Sequence, residues 1–386
     1  MGVSCWRFAQ QQQPWSSVVR VPSTTKKLRV ALAGSHFPAC YPYTQRVLQQ
    51  RNLDSQIELL PANTWQDLMD MAPHIHAAIP FMERFTADFI KAAPNLQLIQ
   101  QQGVGLEGVD IATATNEGIA VCNIPSKGTA NAEATAEHGL LLTMMLLRNT
   151  HNDLPQRFTN QTMGAYPLPR TLLGQRITVV GYGAVGSQLC QYLIALGASK
   201  VTAVRKRPWS TTNTTITDNN NNSSTGGGGG GATSSEIIVP TNHTTIFHQS
   251  NNLDDELPTT DVLILCCAMT PETHHIVNED RLRCMPTGSY VINIGRGPLV
   301  EYHAILNALN HHHIAGYASD VGVGHDIKPS EPWDPLDPLS IHPNTIFTPH
   351  VGGNCDIVVQ NMAETIVTNL ERIRQGEEPY HWVNKI

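Results

Sequence analysis

Ile177-Thr178-Val179-Val180-Gly181-Tyr182-Gly183-Ala184-Val185-Gly186 decides the reading of this chain. Four apolar or β-branched residues run straight into G-x-G-x-x-G, and Leu189, Tyr192, Leu193 and Leu196 continue at helical spacing. Gly197 ends that helix, and Lys200–Val204 reads as another strand. Strand, glycine turn, helix and strand together form the βαβ unit that binds a dinucleotide. Gly181 permits the tight turn, Gly183 lets the backbone approach a pyrophosphate, and Gly186 lets helix and strand pack closely. The helix start, at Ala184 and Val185, offers free amides to the phosphates. The plainer alternative is a turn with no ligand. A competing functional one is the nucleotide loop of a methyltransferase, also a doubly wound sheet.

Working outward, Lys200–Val204 ends in Arg205-Lys206-Arg207. An NAD site usually carries Asp or Glu there for the ribose 2′-hydroxyl. Cations in its place predict a 2′-phosphate, and so NADP(H) in preference to NAD(H), with Arg205 and Lys206 as contacts. Further apolar runs at 245–247, 262–266, 290–294, 314–318 and 345–347 extend this second series. An earlier series has strands at 28–33, 77–79, 96–99 and 119–121, with helices at 44–51 and 86–93. A long apolar helix is expected over 132–147, followed by a linker at about 149–170. Alternation of this kind predicts an α/β fold, with two Rossmann-like domains built on parallel sheets.

Composition sets outer limits. The chain has 386 residues, 41% hydrophobic and 15% charged, which suits two globular domains. The formal charge of −7 argues against a general nucleic-acid binder. No apolar run approaches the length of a membrane span, so no membrane partner is expected. The eight cysteines form no C-x-x-C pair and read as reduced thiols, and cytoplasmic localisation is expected. Residues 1–27 contain no acid; the segment reads equally as a disordered tail or as a targeting peptide for mitochondrion or plastid. Position 6 is Trp, which fails the myristoylation pattern begun by Gly2. Residues 210–235 are mostly Thr, Asn, Ser and Gly and predict a flexible surface insertion. His311-His312-His313 lacks ligand spacing to any partner, so no metal is expected.

Several motifs, in order, carry a resemblance. They are Gly103-Val104-Gly105-Leu106-Glu107-Gly108-Val109-Asp110, Asn123-Ile124-Pro125 with Ala136-Glu137-His138, Asn293-Ile294-Gly295-Arg296-Gly297, Ser319-Asp320-Val321, Glu331-Pro332 and Thr348-Pro349-His350. With the glycine turn, they resemble the D-isomer-specific 2-hydroxyacid dehydrogenase family, in particular a glyoxylate/hydroxypyruvate reductase-like branch of plant and algal type. The resemblance covers the chain from about Leu28 onward.

The resemblance implies an NAD(P)-dependent oxidoreductase acting on a small 2-keto acid or D-2-hydroxy acid, working as a homodimer. It implies a flavodoxin-like substrate domain from 28–125 plus 351–386, a dinucleotide-binding domain from 126–350, and ligand in the cleft between them. Arg296, Glu331 and His350 would be catalytic. Val104, Gly105, Arg296 and His350 would hold substrate. Ile294, Gly295, Arg296, Asp320, His350 and Gly352 would join Gly181, Gly183, Ala184, Val185 and Gly186 around the cofactor.

The residue types suit that chemistry. An imidazole titrates near neutrality and can give or take the proton on the carbonyl oxygen. A carboxylate beside it favours imidazolium. A guanidinium fork matches a carboxylate. Asp320 to Glu331 is a longer spacing than the family's usual one, and His325 stands at the unshifted position; Glu331 is chosen for its following Pro332 and its spacing to His350. Ala268 replaces the family's Pro, and Arg205 its acid. A rival from another class is a non-catalytic dinucleotide sensor or corepressor on the same fold.

Overall fold

The computed structural model describes residues 27–35, 37–81, 83–161, 168–209, 235–238, 244–322 and 334–385. The segment 1–26, most of the 210–235 insertion, His325 and Glu331 lie outside them. The chain divides into two units. One runs to Asn131 and resumes at Asn354; the other is Ala132–Gly353.

The first unit is built on β1 (Leu28–Ala33), β2 (Ile57–Ala62), β3 (Ala77–Pro80), β4 (Leu98–Gln100) and β5 (Ala120–Cys122), in the order β2-β1-β3-β4-β5 and all parallel. This is the flavodoxin-like order. Ala31, Ala33, Ala78, Ile99 and Val121 face one layer, where Phe85, Phe89 and Ile90 close the core. The returning helix Asp356–Arg374 belongs to this unit. Arg51, just beyond helix Cys40–Gln50, bonds Thr368 at 3.0 Å and pairs with Glu364 and Glu371. Asn369, fully buried, donates to Gln100 Oε1 at 2.6 Å and so ties the helix to β4. The last residues cover the free edge of β5. Val383 N–H reaches Val121 O, and Asn384 Oδ1 accepts the Val121 N–H at 2.7 Å.

The second unit holds β6 (Arg176–Val180), β7 (Lys200–Val204), β8 (Ser235–Ile238), β9 (Thr244–Ser250), β10 (Val262–Leu265), β11 (Ser289–Asn293), β12 (Ile314–Ser319) and β13 (Thr345–Phe347). Their order is β13-β12-β11-β10-β6-β7-β9-β8. Seven strands are parallel, and β8 adds an antiparallel edge to β9 that the sequence pattern did not announce. Strand order reverses direction between β6 and β10, which makes that pair the switch point of a doubly wound sheet.

The near-continuous apolar strands reflect cover on both faces. In β10, Val262 and Ile264 pack against Leu142, Leu146, Leu189 and Leu193 of helices Asn131–Arg148 and Ala184–Ala195. Leu263 and Leu265 pack against Leu282, Ile305 and Leu309 on the opposite face. All four β10 side chains are fully buried, each contributing roughly 1.5–3 kcal/mol. The expected linker at 149–170 contains a short helix, Asp153–Thr159.

Candidate active site

The glycine turn follows β6 and abuts the residues that follow β10. Gly181 has φ +104°, and a Cβ on it would lie 2.7 Å from Cys267 N. A Cβ on Gly186 would lie 1.9 Å from Gly181 O, so the helix can start this close only without a side chain. The Cys266 thiol donates to Gly181 O at 3.0 Å and closes the turn from β10; burial pushes that thiol well above its usual range. Gly183 differs from both: nothing lies within 4 Å of where its Cβ would be. It caps helix Ala184–Ala195 without any side-chain hydrogen bond. The first helical amides therefore open beside a bare backbone, a shape and polarity that fit a pyrophosphate.

Arg205, next after β7, places its guanidinium 4.1 Å over the Trp209 ring and donates to Pro208 O at 2.7 Å. Trp209 is itself held, by Nε1 donating to Ser250 O at 3.2 Å and by the Tyr182 ring 5.0 Å away. Lys206 projects into solvent and pairs loosely with Glu272 at 3.6 Å; such exposed pairs contribute little. Arg207 is exposed.

Ile294, Gly295 and Arg296 follow β11. Asn293 shapes this loop: its amide donates to Arg296 O at 2.7 Å and its carbonyl accepts Gly295 N–H at 3.0 Å. A Cβ on Gly295 would meet Cys267 O at 2.8 Å, so this loop also packs against the residues after β10. The Arg296 guanidinium is half-buried and donates to Gly295 O at 2.8 Å.

Asp320 follows β12 and is 3% exposed. Its carboxylate accepts Thr348 Oγ1–H at 2.7 Å, Val351 N–H at 2.9 Å and Gly352 N–H at 2.8 Å. His138 Nε2 stands 3.4 Å away. Burial alone would raise its pKa; the hydrogen bonds from His138, Thr348, Gly352 and Val351 outweigh it and hold the carboxyl below its ordinary value. His350 sits on the turn these bonds tie down, half-buried, with φ +55°.

In the second unit, then, every described site residue expected from the sequence lies at the carboxyl ends of neighbouring strands of one sheet. Glu331, the expected partner of His350, lies outside the described residues, as does His325. Val104 and Gly105 follow β4 of the first unit. There Val104 is exposed and its carbonyl accepts from Asn123 Nδ2 at 3.1 Å. Trp209 is a site neighbour that sequence reasoning did not single out; His138 and Thr348 stand in motifs quoted for the resemblance, but the sequence assigned them no role. Among the described residues no cluster of His, Cys, Asp or Glu is arranged to hold a metal, and no helix is long and apolar enough to cross a membrane.

The model of the family "D-isomer specific 2-hydroxyacid dehydrogenase, NAD binding domain" matches residues 235–352. That span begins at the last residue of the low-complexity insertion and takes in the Arg296, Asp320 and His350 segments. A glyoxylate reductase of Thermofilum pendens is 29% identical over 304 residues, 78% of this chain and 79% of that one. Over residues 235–352 the chain is similar to the D-isomer-specific 2-hydroxyacid dehydrogenase family, and over most of its length to glyoxylate reductases. Solved structures share the fold. The apo-structure of D-lactate dehydrogenase from Escherichia coli has TM-score 0.71 at 20% identity, covering 92% of this chain and 99% of that one. An NADPH-dependent glyoxylate/hydroxypyruvate reductase from Sinorhizobium meliloti has TM-score 0.67 at 22% identity, covering 92% and 97%.

Proposed function

We propose that this protein interconverts a small 2-keto acid and a D-2-hydroxy acid, using NADP(H) in preference to NAD(H). The observation that carries the reading is that the Gly181–Gly186 turn, the Arg296 loop and the His350 turn all lie at the carboxyl end of one sheet. The Gly183 cradle and the uncapped amides of Ala184, Val185 and Gly186 would hold the dinucleotide phosphates. Bound there, the nicotinamide supplies or takes the hydride.

The rest falls to side chains of this chain. Arg296 pairs its planar fork with the substrate carboxylate and draws charge toward the carbonyl. In the first unit, the backbone amides of Val104 and Gly105 are donors of the kind a substrate carboxylate takes. His350 gives a proton to the carbonyl oxygen in reduction and removes it in oxidation. Glu331 orients the His350 ring and favours its charged form. Glyoxylate, the substrate named for the Thermofilum pendens relative, heads the candidates.

Arg205 supports the cofactor preference. It stands where an acid would bind a ribose 2′-hydroxyl, and its stacking on Trp209 already fixes its plane. One charge-assisted bond made only to the 2′-phosphate is worth ~1.5–3 kcal/mol, about tenfold or more in affinity. The unit with Val104 and Gly105 serves as the substrate domain and the other as the cofactor domain. A homodimer is consistent with Leu141 and Met144, large apolar side chains left exposed on helix Asn131–Arg148.

His350→Ala tests the reading. Keto-acid reduction should fall by ~10²–10⁴-fold, while the dinucleotide still binds, as followed by fluorescence of the reduced nicotinamide. A variant that keeps wild-type turnover would remove His350 from the chemistry.

A further inference from the structure

His138 lies in the middle of helix Asn131–Arg148, and none of the chemistry proposed above uses it. Its side chain is nonetheless 13% exposed, and its ring reaches the segment that carries His350. Nε2 stands 2.9 Å from Thr348 Oγ1. The same hydroxyl stands 2.7 Å from Asp320 Oδ1. The Asp320 carboxyl is held ionised by its donors, so it has no hydrogen to give and Thr348 must donate to it. The Thr348 oxygen then has only lone pairs left, and His138 Nε2 must carry the hydrogen of their bond. The chain of donation runs from His138 to Thr348 to Asp320.

Asp320 passes the constraint on. It accepts the backbone N–H of Val351 and of Gly352. A Cβ on Gly352 would lie 2.9 Å from Oδ2, so the backbone sits directly on the carboxylate. At the other end of the segment, Thr348 O accepts the His350 N–H at 3.0 Å. Residues 348–352 are thus tied on both sides of His350. That histidine holds a left-handed backbone, which a residue with a side chain keeps only where its surroundings over-determine it.

We propose that His138 and Thr348 are positioning residues, which act through Asp320 to fix the 348–352 turn and with it the imidazole of His350. The catalytic half of this inference rests on the proposed role of His350; the structural half stands by itself. What His138 contributes is a hydrogen-bond donor at a fixed point. His138→Gln keeps an amide N–H at similar reach, and His138→Leu removes the donor while keeping apolar bulk. Thr348→Val, nearly isosteric, breaks the same chain without touching the helix.

The test combines hydrogen exchange with steady-state kinetics on the full chain. Peptides covering 348–352 should exchange faster in His138→Leu and Thr348→Val than in wild type. Both variants should lose about tenfold to a hundredfold in kcat for keto-acid reduction, as a small displacement of a reacting group does. KM and dinucleotide affinity should stay within about threefold. His138→Gln should restore both exchange protection and kcat. If His138→Leu does not fold, Thr348→Val carries the measurement. Unchanged exchange in the folded variants overturns the inference, as does faster exchange with full kcat, or a Gln variant as impaired as Leu. A wild-type protein with no keto-acid turnover would count against the proposed function, and the exchange measurement would still decide whether the clasp exists.

Discussion

A buried carboxylate is tolerated only when its charge is answered. Asp320 is met by His138, Thr348 and the backbone amides of Gly352 and Val351, and these hold its carboxyl below the ordinary value despite burial. The sign of the consequence follows from linkage. Its folded pKa lies below its unfolded one, near ~3.9. Its contribution is complete above that unfolded value and disappears as pH falls through the folded one. Asp320→Asn should cost about 1–3 kcal/mol at neutral pH, by leaving buried donors without an acceptor. It should also flatten the acid side of the stability curve. Thermal unfolding of wild type and variant at a series of pH values between about 6 and 3 measures both. Parallel curves would show that Asp320 does not titrate with folding. Asp320 itself was visible in the sequence through Ser319-Asp320-Val321. His138 and Thr348 stood in quoted motifs too, but their pairing with Asp320 was not legible: the fold brings positions 138, 320 and 348 together, and no local spacing links them.

At the scale of the element, the glycine turn was the most legible feature, because backbone geometry there excludes other residues. The structure separates its glycines by role. Gly186 is demanded by the protein itself, since a Cβ would lie 1.9 Å from Gly181 O. Gly183 is not: its φ is −92° and its Cβ position is open. Gly183→Ala should therefore fold with an unfolding temperature within a few degrees of wild type yet lose tenfold or more in dinucleotide affinity, since the added methyl fills the phosphate cradle. Gly186→Ala should lower stability as well, because backbone must move. Equal affinity of Gly183→Ala and wild type would mean that the cradle holds no phosphate.

Two strands were missed for definable reasons. β2 carries Pro61 and lies at a sheet edge, where Pro is allowed and the apolar alternation is weak. β8 lies at the far end of the insertion, and its antiparallel pairing with β9 breaks the parallel pattern. Among the legible strands, β1, β6 and β10 are interior and almost wholly buried.

For the whole molecule, the two series of alternating strands and helices became two units with two different strand orders, 2-1-3-4-5 and the doubly wound order. The insertion after β7 interrupts the second without disturbing the pairing of β7 with β9. The central claim is that this assembly reduces keto acids with a nicotinamide dinucleotide. Its most direct test is absorbance of the reduced nicotinamide when purified protein meets a panel of small 2-keto acids, glyoxylate and hydroxypyruvate among them, with NADPH and with NADH. The account predicts turnover of at least one of them, with kcat/KM for NADPH about tenfold or more above that for NADH. Dinucleotide binding without oxidation by any member of the panel would contradict it.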